Sequence, residues 1–300
     1  TTIETNTVAA EGVGAAYEAT NDVLFTSYAV LPAAAAGAAG NDIKVSYGAS
    51  ADITLAGAAG TFITEVVDNT MSVFPTTAVP SISSAKASNG TIGFAYFYQD
   101  GTVGDSKLYY GIRGGTTSAP VFGQTFVTSH QEGAASPAFV GSYPSLTYDA
   151  NNNPIIAYWN GAGTDLNLQI ARSFNGGASF AISVVDDTSA SIGQYPSITR
   201  TGNTLGIAYY DVTNTVLKFA RYTPATGWKK FAVDGMTGAS CGVAGDDAGS
   251  FAKLQFNAAG KPVIVYQSNG ALKVAVAAEA ASGTSFTWSC VNIDNSANVR

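Results

Sequence analysis

Apolar and polar residues alternate along this chain in short runs, and Gly, Asn, Asp and Pro break the runs roughly every eight to twelve residues. Apolar stripes at helical spacing are nearly absent. A side-chain period of two buries one face of a strand, so the pattern predicts an all-β chain.

The runs recur in sets of four. First strands place an apolar or aromatic residue, a small residue or Pro, a short polar residue, then an apolar one. They read Val79-Pro80-Ser81-Ile82, Tyr143-Pro144-Ser145-Leu146, Tyr195-Pro196-Ser197-Ile198 and Phe251-Ala252-Lys253-Leu254, with a degenerate version at Val13-Gly14-Ala15-Ala16. Second strands follow a turn and end in Tyr, as at 23–28, 91–96, 154–159, 204–211 and 262–266. Third strands cover 42–48, 106–113, 166–173, 216–222 and 271–277; fourth strands cover 62–68, 121–127, 180–187, 228–234 and 286–294.

A four-stranded unit cannot bury both of its faces alone. Stacked around an axis, each sheet covers the next, and the expected fold is a β-propeller of four-stranded antiparallel blades in a single domain, 1–300. The blades fall at about 12–68, 79–128, 143–187, 195–235 and 250–294. Ser81, Ser145, Ser197, Ala15 and Gly14 are small where inner strands converge, while Phe62, Phe180, Trp228 and Phe286 open the outer strands, where the wedge widens. Five blades are favoured, with residues 1–8 (Thr2–Thr5 above all) as a closing strand; six blades are the alternative.

The motifs GQYPSI (193–198), IAYYD (207–211), LKFAR (217–221) and WKKFAVD (228–234) resemble a repeat of secreted bacterial and archaeal propeller proteins, related to the sialidase-like, Asp-box propellers. The likeness covers 79–294 well and 1–78 weakly. Ser173-Phe174-Asn175-Gly176-Gly177-Ala178-Ser179-Phe180 is similar to an Asp-box, with Asn for Asp, Ser for Thr and Phe for Trp. In that family the box locks a hairpin and implies no catalysis, and the repeat has no single function.

Composition narrows the function classes. Hydrophobic residues make up 46% and charged residues only 12%, so the surface is covered by Ser, Thr, Asn, Gly and Ala. A net charge of −7 with 14 basic residues argues against nucleic-acid binding, and no apolar run is long enough to insert in a membrane. Low charge, high Thr, Ser and Gly and few Met fit an exported, extracellular or cell-surface protein. Cys241 and Cys290 are expected to form one disulfide.

Candidate chemistry is sparse. One histidine, His130, cannot build a zinc site or a triad, and no cofactor is expected. Asp186-Asp187 and Asp246-Asp247 are the carboxylate pairs where calcium would find oxygen ligands, at a spacing that marks no ion-binding loop. Asp68, Asp186, Asp234 and Asp294 follow fourth strands and read as Asx-type turns. Arg113, Arg172 and Arg221 end third strands as solvated or edge residues, away from where a sialidase-type arginine triad would sit. Asp149 and Glu18 end first strands as turn caps.

Aromatic and polar residues are expected to share one rim: Tyr143 and Tyr195 opening first strands, Tyr98, Trp159 and Tyr210 ending second strands, with Asp100, Asp211, Asp105 and Asp165 on the same loops. Aromatic faces edged by carboxylates suit sugar binding. Lys253 replaces Ser on an inner strand and joins the candidates. With no convergent catalytic set, the expected role is non-catalytic recognition of a glycan or surface protein, or surface assembly. The alternatives are a sialidase-like or arabinanase-like glycosidase, and a filament, sheath or virion subunit that self-assembles through its N-terminal strand.

Overall fold

The computed structural model describes residues 9–18, 23–31, 41–49, 63–71, 81–99, 106–116, 119–130, 139–162, 164–236, 239, 241, 245–280 and 283–295. These residues form five four-stranded antiparallel sheets, each ordered as in the chain. The first holds β1 (Ala9–Glu18), β2 (Val23–Leu31), β3 (Asn41–Ala49) and β4 (Ile63–Met71). The second holds β5 (Ser81–Lys86), β6 (Ile92–Gln99), β7 (Ser106–Thr116) and β8 (Ala119–His130). The third holds β9 (Phe139–Tyr148), β10 (Pro154–Ala162), β11 (Asp165–Arg172) and β12 (Ala181–Asp186). The fourth holds β13 (Ile192–Thr201), β14 (Thr204–Asp211), β15 (Val216–Thr223) and β16 (Gly227–Asp234); the fifth holds β17 (Ala248–Phe256), β18 (Pro262–Ser268), β19 (Ala271–Ala277) and β20 (Trp288–Asp294). The closing strand expected at 1–8 lies outside the described residues.

Successive sheets adjoin through their first strands. The N–H of Leu146 donates to Ser83 Oγ at 3.0 Å, that of Ile198 to Ser145 Oγ at 3.0 Å, and that of Leu254 to Ser197 Oγ at 2.9 Å. Each first strand is an edge strand whose outer N–H groups need partners, so a short hydroxyl is demanded by hydrogen bonding as well as by space. The pairing corrects the matching of repeats. Ser83, not Ser81, stands opposite Ala95 as Ser145 stands opposite Ala157 and Ser197 opposite Ala208. The physical reason is a bulge: β9 and β13 insert Tyr143-Pro144 and Tyr195-Pro196 opposite one residue, and β5 pairs without interruption.

The core lies between sheets, with Tyr96, Tyr158, Tyr209 and Tyr266 of the second strands fully buried. Their hydroxyls need partners, and two of them reach back to the preceding sheet. Tyr209 Oη donates to Asp186 Oδ2 at 2.7 Å, and Lys218 Nζ lies 2.6 Å from the same oxygen. Tyr266 Oη donates to Asp234 Oδ2 at 2.7 Å, with Lys273 Nζ at 3.2 Å. The two aspartates do cap turns, accepting from Thr188 N–H and Gly235 N–H. They are also buried anions that lock neighbouring sheets, which the turn reading missed. Burial pushes Asp186 up, but the hydrogen bonds from Lys218, Tyr209 and Thr188 together outweigh it and hold the carboxyl below its ordinary range. The device is absent between the second and third sheets: β8 has Thr128 at the register of Asp186, and Gln169 stands where Lys218 and Lys273 stand, accepting from Tyr158 Oη at 2.7 Å.

Between β11 and β12 the Asp-box-like segment locks its hairpin. Ser173 Oγ accepts from Gly177 N–H at 2.8 Å, and Asn175 Oδ1 accepts from Ser179 N–H at 3.0 Å. Asp149 caps its turn as expected, accepting from the N–H groups of Asn151 and Asn153. Cys241 and Cys290 are bridged, tying the segment after β16 to β20. No helix among the described residues is long and apolar enough to cross a membrane.

Candidate functional site

Three successive first strands begin with one local motif: Gly141-Ser142-Tyr143-Pro144-Ser145, Gly193-Gln194-Tyr195-Pro196-Ser197 and Gly249-Ser250-Phe251-Ala252-Lys253. The glycines have φ of 95°, 107° and 126°. A Cβ at Gly141 or Gly193 would come within 2.6 Å of Leu108 or Leu168, so only glycine lets these strands close on the preceding sheet. Two residues on, Tyr143, Tyr195 and Phe251 are left-handed as well, at 54°, 51° and 56°. For bulky L-residues that conformation costs on the order of 1–3 kcal/mol each, and strain of this kind is concentrated at functional sites.

What the bulge achieves is a change of side-chain direction. Ring centroids of Tyr143 and Tyr195 lie 4.5 Å apart, and those of Tyr195 and Phe251 lie 4.6 Å apart. The row continues through Trp159, 6.3 Å from Tyr143, to Phe139, 6.3 Å from Trp159. Phe251 is 52% exposed, Phe139, Tyr143 and Tyr195 are half-buried, and Trp159 is buried beneath them. Burial first, then the neighbouring Tyr195, pushes the Tyr143 phenol up.

Beside the row stands Tyr210, at the end of β14. Its Cδ2 lies 3.0 Å from the Cβ position of Gly249, and its Oη donates to Asp247 Oδ1 at 2.6 Å. Asp247 is fixed by exchange with the next loop: its N–H donates to Asn269 Oδ1, and its carbonyl accepts from Asn269 N–H, both at 2.9 Å. Burial, then the bond to Asp247 and its charge, raise the Tyr210 phenol, so its proton stays on and is shared with the carboxylate. Little of Tyr210's own surface meets water, yet the exposed Asp247 opens the pair to the rim. A cleft of about 450 Å³ opens in the same region, lined by Thr188, Asp211, Asn214, Lys218, Met236 and Gly245.

The expected site residues separate on this geometry. Tyr143, Trp159, Tyr195 and Tyr210 come together. Asp211 does not present its carboxylate: it is buried and accepts from Ser189 Oγ at 2.8 Å and from Asn214 N–H and Nδ2 at 3.2 and 3.0 Å, which makes it a turn cap. Lys253 is exposed on β17, between the buried Ala252 and Leu254, and makes no hydrogen bond or ion pair among the described residues. Neighbouring protein lowers its ammonium by desolvation. The backbone of Tyr98 closes β6, but its side chain lies outside the described residues, as do Asp100, Asp105 and the side chains of Asp165 and His130.

Sequence reasoning missed Phe139 and Phe251 as site residues, and it read Asp247 only as half of a candidate calcium pair. The Gly-x-aromatic spacing shared with Tyr143 and Tyr195 was a signal for Phe251; nothing local marks the pairing of Asp247 with Tyr210.

The arginines lie elsewhere. Arg172 pairs with Asp149 at 3.5 Å beside a cleft of about 330 Å³, and Arg113 sits 4.1 Å over the Tyr47 ring. Arg221, expected at a solvated edge, is buried. No cluster of three or more His, Cys, Asp or Glu converges among the described residues, and Asp186 is already engaged by Lys218 and Lys230, which excludes calcium there.

Neither family models nor curated proteins match the sequence. Solved structures match the fold. A Trypanosoma rangeli sialidase in complex with the inhibitor DANA aligns with a TM-score of 0.54 at 11% identity, over 90% of this chain and 47% of that one. The chain therefore spans about half the length of that sialidase. A polysaccharide lyase of family PL25, an ulvanlyase bound to -[GlcA(1-4)Rha3S]-, aligns with a TM-score of 0.53 at 12% identity, over 93% of this chain and 73% of that one. These matches count against the expectation of a non-catalytic recognition or assembly protein, since the solved structures sharing the arrangement are a sialidase and a polysaccharide lyase. The likeness of fold extends beyond sialidases. The chain has an all-β, repeat-sheet fold similar to those of a sialidase and a polysaccharide lyase.

Proposed function

We propose that this chain cleaves glycosidic bonds, with Tyr210 and Asp247 as the reacting pair and the aromatic row as the surface that holds the sugar. The carrying observation is the 2.6 Å hydrogen bond from the Tyr210 phenol to Asp247 beside stacked rings. A phenol is a weak nucleophile until a carboxylate takes its proton. Attack of Tyr210 Oη on an anomeric carbon passes that proton to Asp247 as the glycosidic C–O bond breaks, and the leaving oxygen is protonated from solvent. Water then displaces the tyrosyl group, as in glycosidases with a tyrosine nucleophile. The described arginines lie away from the row, so the sialidase pattern of an arginine clamp on a substrate carboxylate is not part of the proposal.

The five sheets are proposed to close as a propeller. Asp294 stands at the register of Asp186 and Asp234, and Tyr28 and Lys44 pair across β2 and β3 as Tyr209 and Lys218 pair across β14 and β15. The disulfide supports an oxidising, extracytoplasmic location.

Incubation with a panel of polysaccharides, reading new reducing ends, tests the activity. Release by the wild-type chain and its loss in Tyr210→Phe support it. Unsaturated products would reassign the chemistry to elimination, and no release from any polysaccharide refutes it.

A further inference from the structure

We infer that the aromatic row is the bed for several consecutive units of a linear acidic glycan, with Lys253 receiving the carboxylate or sulfate of one unit. This deepens the proposed glycan cleavage and rests on it for the substrate's being a sugar chain. Three observations carry it.

The first is extent. Tyr143, Tyr195 and Phe251 follow one another at centroid steps of 4.5 and 4.6 Å across the starts of three sheets, and Phe139 lies beyond them, joined to Tyr143 through the buried Trp159 by steps of 6.3 Å each. A pocket for a single sugar needs one or two stacking rings. A row whose steps are each about as long as a sugar ring fits an extended chain laid along it. The second is strain. Three bulky residues are held left-handed in one repeated bulge, and glycine would fit each position more easily. Packing does not call for this conformation, since β5 joins the neighbouring sheets through the same serine contact with an uninterrupted register. What the bulge adds is ring presentation.

The third is charge. Lys253 occupies the position where Ser83, Ser145 and Ser197 lie, and where those hydroxyls bind the next strand it extends an unpartnered cation. It follows Phe251 by two residues on the same exposed side of β17. An exposed ammonium with no counter-charge among the described residues is free to meet an anionic group on the ligand. In a chain that carries −7, Lys253 is a cation beside the row with no partner among the described residues.

The test uses the full-length Asp247→Asn protein, so that bound chains stay intact, with calorimetric titration and Trp159 fluorescence as readouts. The probes are three ladders from two to six units: oligogalacturonates, sulfated carrageenan oligosaccharides and neutral cello-oligosaccharides. The expected result is at least tenfold tighter binding from two to four units in an acidic ladder. Lys253→Gln should weaken that binding about tenfold and move the neutral ladder little. Tyr195→Gly, which relieves the backbone while removing the middle ring, should abolish the length dependence in a protein that still unfolds cooperatively. Affinity independent of length, equal binding of neutral and acidic ladders, or binding of no ladder overturns the inference. The two readings fail separately: acidic-glycan binding without cleavage by the wild-type chain sinks only the catalytic proposal. Cleavage of a short neutral glycan, with no length dependence, sinks only this one.

Discussion

Replacing Asp186 tests the lock between the third and fourth sheets, and the molecule supplies its own control. Asp186 has no exposed side-chain surface, and Tyr209, Lys218 and Lys230 all converge on it. Asp186→Thr leaves a buried phenol and an ammonium without their anion. Removing one partner of a buried ion pair costs about 3–5 kcal/mol. Lys218 keeps 14% and Lys230 32% of its side-chain surface exposed, which places the expected loss at the low end, about 3 kcal/mol. That corresponds to a drop in Tm of roughly 5 °C for a chain of this size. Thr128, Tyr158 and Gln169 show that a sheet can do without the charge when both ends change together. Asp186→Thr with Lys218→Gln should therefore recover about 2 kcal/mol relative to the sum of the single losses. Urea unfolding of the wild type, both single variants and the double variant closes the cycle. A loss under about 1 kcal/mol for Asp186→Thr, or strict additivity in the double variant, refutes the lock.

Acid should act on the same group. A carboxyl held below its ordinary value contributes stability that is present above about pH 4 and drains away as pH falls through the folded-state value, so Asp186→Thr should flatten the acid limb of unfolding. At the strained bulge, Tyr195→Gly should be more stable than Tyr195→Ala by about 1 kcal/mol, the reverse of the usual order, in thermal unfolding; equal stabilities would show that the conformation is not costly. Breaking the Cys241–Cys290 bridge with a double serine replacement should cost roughly 4 kcal/mol from its 49-residue separation, read by urea unfolding of both forms; an unchanged midpoint would contradict that. If the ring closes, Asp294→Ala and Lys44→Ala should couple in a double-mutant cycle, and additive losses would argue against closure.

The five sheets were legible because their signals are local. Alternation fixes which side chains share a face, and the turn residues Gly90, Asn152 and Gly260 adopt the left-handed backbone that their identities suggest. The register of β5 was not legible, since Pro80-Ser81-Ile82 imitates Pro144-Ser145-Leu146 and only strand pairing reveals that the bulge is missing there. Tyr143, Trp159, Tyr195 and Tyr210 could be placed on one rim from the connectivity of a four-stranded sheet. Asp211 misled because a rim position does not tell whether a carboxylate faces out or caps its own loop. Asp247 stood out only as half of a carboxylate pair, and its bond to Tyr210 was not legible because Tyr210 is 37 residues away and belongs to another sheet. Long-range pairing of that kind leaves no periodic trace.

Turnover of the best polysaccharide by wild type, Tyr210→Phe and Asp247→Asn, with Tyr222→Phe as a control at the far end of the sheet, tests the central claim most directly. Both rim variants should lose at least about a hundredfold in kcat, near the reach of nucleophile and proton-transfer chemistry, while their unfolding midpoints and the control's turnover stay close to wild type. Full turnover in Tyr210→Phe would contradict the claim.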